Sequence, residues 1–151
     1  MKKNLSHSSV PKIVILAFII ISSTPFYSSA QSPAIKPAME KLKTGIQFEN
    51  NGQYHKAIKN YQQALALFKK LRTGDAIAVS LKRIGDVYHA LGQYEKSIEN
   101  YLQALTLFRK LGIEDAIVIT LNNIGTVYHL LGQYEKSIEN YQQALTLFRK
   151  L

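Results

Sequence analysis

The stretch LGQYEKSIENYLQALTLFRKL at residues 91–111 returns at residues 131–151 as LGQYEKSIENYQQALTLFRKL, with Leu102 replaced by Gln142 and nothing else changed. A looser copy runs from Gly52-Gln53-Tyr54 to Leu71, again forty residues earlier. A fixed period in the range of about 20–50 residues marks a stacked repeat protein, in which each unit buries its apolar face against its neighbours. Surfaces of that kind bind other chains more often than they perform chemistry.

Outward from this stretch, the apolar spacing is helical throughout. Leu81, Ile84, Tyr88 and Leu91 recur at intervals of three and four, which is one face of a helix. Gly92 breaks that helix. Tyr94, Ile98, Tyr101, Ala104, Leu105 and Phe108 then form a second amphipathic stripe. Gly112 ends it, and Glu114-Asp115 place negative charge in the first turn of the next helix, where the dipole favours it. The pattern predicts helices at about 38–50, 54–71, 75–90, 94–111, 115–130 and 134–151. The expected fold class is all-α, in three two-helix units at about 38–71, 75–111 and 115–151.

Glycine inside a helix costs about 1 kcal/mol relative to alanine, so Gly45, Gly85 and Gly125, at one repeat position, need a reason. Ala57, Ser97 and Ser137 share a second position, and Ala64, Ala104 and Ala144 a third. Small residues there let the two helices of a unit approach closely. Tyr88, Tyr94, Tyr101 and their equivalents fill the surrounding space, which makes these tyrosines structural.

The N-terminus reads differently. Lys2, Lys3 and Lys12 precede nine consecutive apolar residues, Ile13 to Ile21, and a polar stretch ends in Ser28-Ser29-Ala30. A positive start, a short apolar run and a small-x-small site describe a secretory signal peptide over 1–30. A membrane anchor is the alternative, although nine residues fall short of the roughly twenty that span a bilayer core. The expectation is an exported protein, periplasmic or secreted, with no stable membrane span after cleavage near Ala30. Failure of cleavage would tether the repeats outside the same membrane. Residues 31–37, with Pro33 and Pro37, read as a linker.

The chain has no cysteine, so disulfides and thiolate metal sites are excluded. Its net charge is +9, and removing Lys2, Lys3 and Lys12 leaves +6. Lys69-Lys70, Arg109-Lys110 and Arg149-Lys150 sit at one repeat position near helix C-termini, where cations complement the dipole. Those six charges equal the remaining excess, so a nucleic-acid footprint is disfavoured.

The residues Leu81-x-x-Ile84-Gly85-x-x-Tyr88-x-x-x-Gly92-x-Tyr94-x-x-Ser97-x-x-x-Tyr101-x-x-Ala104 closely resemble the tetratricopeptide repeat signature, and Leu121 to Ala144 does so equally. The copy from Lys41 to Ala64 keeps Gly45, Phe48, Gly52, Tyr54, Ala57, Tyr61 and Ala64, with Lys41 and Thr44 where apolar residues are expected. The forty-residue period is similar to the extended subclass of kinesin light chains and bacterial multi-repeat proteins. The resemblance implies a right-handed superhelical array whose first helices line a concave binding face. In the bacterial proteins such an array often precedes an effector domain, so a fragment of a longer array is an alternative reading.

Between the two nearly identical units, the radical changes in the first helices are Lys82 to Asn122, Arg83 to Asn123, Asp86 to Thr126 and Ala90 to Leu130. At about 100° per residue, positions 79, 82, 86, 89 and 90 form one stripe, with 83 at its edge. Drift on a solvated face would give the same pattern as a groove contacting a partner. In the extended subclass the matching asparagines bind the backbone of extended peptides, and Asn122 and Asn123 carry that motif. An asparagine amide both donates to and accepts from a peptide bond. Lys82 and Arg83 depart from the motif and suggest an acidic component.

The candidate partner-binding set is therefore Lys82, Arg83, Asp86, His89, Asn122, Asn123, Thr126 and His129, for a protein or peptide partner. His89 and His129 have no recurring carboxylate beside them, so no metal is expected, and no cofactor. Glu95, Lys96, Glu99 and their copies read as a solvated outer face. No nucleophile–base pair, phosphate loop or acid/base dyad is visible, which points away from an enzyme. Leu145, Leu147, Phe148 and Leu151 repeat residues that a following helix covers one unit earlier, so a structural unit associating with itself through this end is the competing expectation.

Overall fold

The computed structural model describes residues 33–151. The signal segment 1–30, its cleavage near Ala30 and the first two linker residues lie outside them. Six α-helices follow in order: α1 (Lys36–Asn50), α2 (Tyr54–Leu71), α3 (Gly74–Ala90), α4 (Tyr94–Leu111), α5 (Glu114–Leu130) and α6 (Tyr134–Phe148). No strand occurs among the described residues. Helix α1 starts two residues before the sequence expectation and takes in Pro37, which the first turn tolerates because its N–H would be unpaired there anyway.

Each hairpin turn has the same cause. At the end of α3, the N–H of Gly92 donates to the His89 carbonyl and that of Gln93 to the Tyr88 carbonyl, both at 2.9 Å. This pair of bonds needs a left-handed residue, and Gly92 supplies it at φ +70°. Between units the equivalent position is Gly112 at φ +68° but Arg72 at φ 56°, where a side chain sits in a conformation that glycine adopts without cost.

Helices pack on their chain neighbours, more extensively within a hairpin than between hairpins. The largest buried cluster joins Ala78 and Leu81 of α3, Tyr101, Leu105 and Phe108 of α4, Ile117, Leu121 and Ile124 of α5, and Ala144 of α6. Two smaller clusters continue it toward α1. Gly85 lies where α3 and α4 come closest: a Cβ there would stand 2.7 Å from the buried ring of Tyr101. At the same crossing Ser97 Oγ donates to the Gly85 carbonyl at 2.9 Å. The small-residue positions thus do what their repetition implies.

One outer-face reading needs amendment. Lys96 stays exposed, yet its Nζ donates to Gln93 Oε1 at 2.9 Å and lies 5.4 Å from the centre of the Tyr88 ring. Lys56 and Lys136 repeat both contacts with Gln53 and Phe48, and with Gln133 and Tyr128. These lysines clamp the hairpin turn by cation–π attraction.

Candidate interaction groove

The first helices α1, α3 and α5 present a row of polar side chains that the hairpin packing leaves partly open. Asp86 is its centre. Its carboxylate accepts from Lys82 Nζ at 2.8 and 3.1 Å, from Tyr101 Oη at 2.8 Å and from Asn123 Nδ2 at 3.3 Å. One turn of helix brings Lys82 to Asp86; the α3–α4 hairpin brings Tyr101; the next unit brings Asn123.

The first unit builds a similar junction from different residues. Ile46 occupies the position of Asp86 and offers no acceptor, so the Tyr61 hydroxyl donates one turn further on, to Glu49. Glu49 Oε2 in turn lies 3.7 Å from an Arg83 guanidinium nitrogen. Position 83 and its equivalent 123 therefore both reach back to the acid of the preceding unit. In the third unit Thr126 Oγ1 and Tyr141 Oη are 3.0 Å apart. The recurring tyrosine position thus has two roles, a ring for packing, fully buried at Tyr61 and Tyr101, and a hydroxyl at the groove floor.

Asp86, His89, Tyr101, Asn123 and Thr126 enclose a pocket of about 210 Å³. A larger depression, about 400 Å³, runs along α6 between Glu139, Gln142, Gln143, Thr146, Leu147 and Lys150. It is open, belongs to one helix and holds no groove residue.

Of the eight residues expected to bind a partner, Asp86, His89, Asn123 and Thr126 meet at the pocket, and Lys82 joins them through Asp86. Arg83 turns toward the preceding unit. Asn122 is exposed, and His129 is exposed with its ring 5.4 Å from that of Tyr134. Glu49, Tyr61 and Tyr101 were absent from the expected set; the i,i+4 spacing of Lys82 and Asp86 was the signal for the local pair. Val79, Ile119 and Leu130, on the same stripe, are exposed apolar residues flanking the polar row. Lys82 and Arg83 both have carboxylate partners, so these two cations with Asp86 and Glu49 carry no net charge. At the other site expected from the sequence, Leu145, Phe148 and Leu151 are exposed. Leu147 is half-buried and packs on the core cluster, because two residues turn a helix by about 200°.

Burial raises the Tyr101 phenol well above its ordinary value, and the neighbouring Asp86 carboxylate adds to the effect. Burial does the same for Tyr61, helped by its hydrogen bond to Glu49. Below pH about 10 the phenols are protonated in both folded and unfolded chains, so this source of stability is fully present. Above that the unfolded chain releases protons that the folded one retains, and stability falls as pH rises. Alkaline titration should show these two phenols ionising together with loss of helix, read by tyrosinate absorbance and circular dichroism. Tyr61→Phe/Tyr101→Phe should flatten the alkaline limb.

The geometry is that of an α-solenoid: stacked helical hairpins with a polar face along their first helices. The tetratricopeptide repeat family model matches residues 45–110 and 76–150, and the chain belongs to that family. It is similar to the TPR domain of Arabidopsis FLU at 23% identity and TM-score 0.74, covering 79% of this chain and all of that one. It is similar also to the yeast Sti1 TPR2AB domain in complex with pHSP90, at 28% identity and TM-score 0.65. That match covers 74% of this chain and 41% of the other. The second TPR of Spaghetti (RPAP3), bound to an HSP90 peptide, aligns at 19% identity and TM-score 0.61, over 75% and 94% of the two chains. No curated protein matches the chain significantly. Repeats of this family commonly mediate protein–protein interaction and are generally not enzymes. Among the described residues no helix is long and apolar enough to cross a membrane.

Proposed function

We propose that the protein is a non-enzymatic binding module whose first-helix groove holds an extended segment of a partner protein. The observation that carries this reading is the division of labour on α3 and α5. One face of each is buried in packing, while Lys82, Asp86, His89, Asn122, Asn123 and Thr126 stay at least partly open beside a pocket. Asn122 projects an amide that makes no hydrogen bond to another described residue, suited to pairing with a peptide bond. The similarity to the Sti1 domain in its complex with pHSP90 supports the same reading. Because Lys82 and Arg83 are each matched by a carboxylate, the groove favours hydrogen bonding over long-range attraction of an acidic segment. Export through residues 1–30 places the partner outside the membrane in this proposal.

Capture from the exported protein fraction, with the wild-type chain and Asn122→Ala side by side, tests it. A partner retained by the first and reduced about fivefold on the second supports the groove, since one charge-free hydrogen bond lost is worth about 1 kcal/mol. Equal recovery on both refutes it. A second reading has its own observation: the apolar face of α6 is open, which favours association through that end.

A further inference from the structure

Helices α4 and α6 offer an internal comparison that few proteins provide. Along α4, Tyr94, Ile98, Tyr101, Leu105 and Phe108 belong to the core that α5 covers. Along α6 the identical residues Tyr134, Ile138, Tyr141, Leu145 and Phe148 are all more exposed, although one side of the Tyr141 ring still packs at Gly125. Exposure rises from 1% at Tyr101 to 39% at Tyr141, from 4% at Leu105 to 49% at Leu145, and from 1% at Phe108 to 65% at Phe148. The five are spaced by four, three, four and three residues, the a/d seam of a two-helix contact. With about 200 Å² per large side chain, the seam leaves about 500 Å² open per copy. A pair would bury about 1,000 Å², the lower end of specific interfaces.

Among the described residues, the opposite end of the array offers no apolar match for it. Where α3 places the buried residues Ile84 and Val87 against the preceding unit, α1 has Thr44 and Gln47, with Lys41 one turn before. Thr44 and its neighbours present a polar face, with Lys41 and Gln47 exposed. Head-to-tail stacking would press an apolar seam onto that polar face. The remaining match within the described residues is the seam with itself.

Building on the end-face reading above, we propose that two copies of the chain pair tail to tail through α6, antiparallel and two-fold symmetric, with Tyr141 at the axis. The direction follows from charge. A parallel pair would set Arg149 and Lys150 beside the same residues of the partner copy. The antiparallel pair sets Arg149 near its Glu135 and opposes the two helix dipoles. Leu145 then faces Ile138 of the other copy, and Phe148 faces Tyr134. The arrangement is closed, so growth stops at two.

The absence of cysteine makes the geometry directly testable. Tyr141→Cys and Tyr134→Cys are made separately in the full chain and in residues 33–151, which hold all six helices. Each is treated with a short bis-maleimide across a concentration series, and wild-type mass is followed by sedimentation. In the proposed pair the two copies of position 141 lie side by side, whereas those of 134 are about 21 Å apart along the axis. The expected result is a covalent dimer from Tyr141→Cys, little from Tyr134→Cys, and a wild-type mass that plateaus at two. Leu145→Lys/Phe148→Lys should abolish the pair, with unchanged circular dichroism because both residues are exposed. Equal cross-linking at both positions overturns the antiparallel geometry. Growth beyond two copies overturns the closed pair while leaving end association standing. A wild-type monomer throughout, uncross-linked at either position, sinks both, and the groove reading is untouched by any of these results.

Discussion

Alanine at Gly85 destabilises the protein by about 2 kcal/mol, while alanine at Gly125, the same repeat position, is neutral or stabilising. The two glycines meet the same ring. A Cβ at Gly85 would come within 2.7 Å of Tyr101, and one at Gly125 within 2.8 Å of Tyr141. What differs is whether the ring can yield. Tyr101 is enclosed by α3, α4 and α5 and anchored through its hydroxyl to Asp86. The overpacking cost of about 3 kcal/mol then outweighs the gain of about 1 kcal/mol from removing a helical glycine. Tyr141 is exposed on one side and can swing outward, so the helix gain remains. Urea unfolding of the two variants checks this, and equal midpoints would show that both rings are equally free.

The second large effect separates Phe108 from Phe148. Phe108→Ala removes a ring buried between α4 and α5 and should cost about 3–5 kcal/mol, the loss of transfer energy together with the cavity left behind. Phe148→Ala, at protein concentrations too low for pairing, should change stability by less than about 0.5 kcal/mol. Thermal melts of both, repeated at high concentration, give a further check. Only Phe148→Ala should lose the rise of Tm with concentration that a pair confers.

These contrasts mark the limit of reading the chain by pattern. Periodicity identified the apolar stripes and the turn glycines, because these depend on residues three to seven apart, and the forty-residue unit was legible as direct self-similarity. The same letters in α4 and α6 have opposite fates, because burial depends on what lies beside a helix. The groove divides in the same way. Lys82 with Asp86 was legible as an i,i+4 pair. Arg83 with Glu49 was not, since the acid sits 34 residues earlier and one turn away from the position that Asp86 would suggest. The lysine clamps over Phe48, Tyr88 and Tyr128 were hidden for another reason: an exposed lysine in the first turn of an amphipathic helix looks like plain surface.

The confinement of packing to chain neighbours has a consequence for how the molecule forms and yields. Contacts of short sequence separation close small loops, so assembly is rapid and can begin at any hairpin. Among the described residues, no distant segment must return to lock the structure. Tension applied to the two ends would therefore peel hairpins away one after another, leaving the remainder folded. A protein built in this way behaves less like a single brittle object than like a short spring of separable coils.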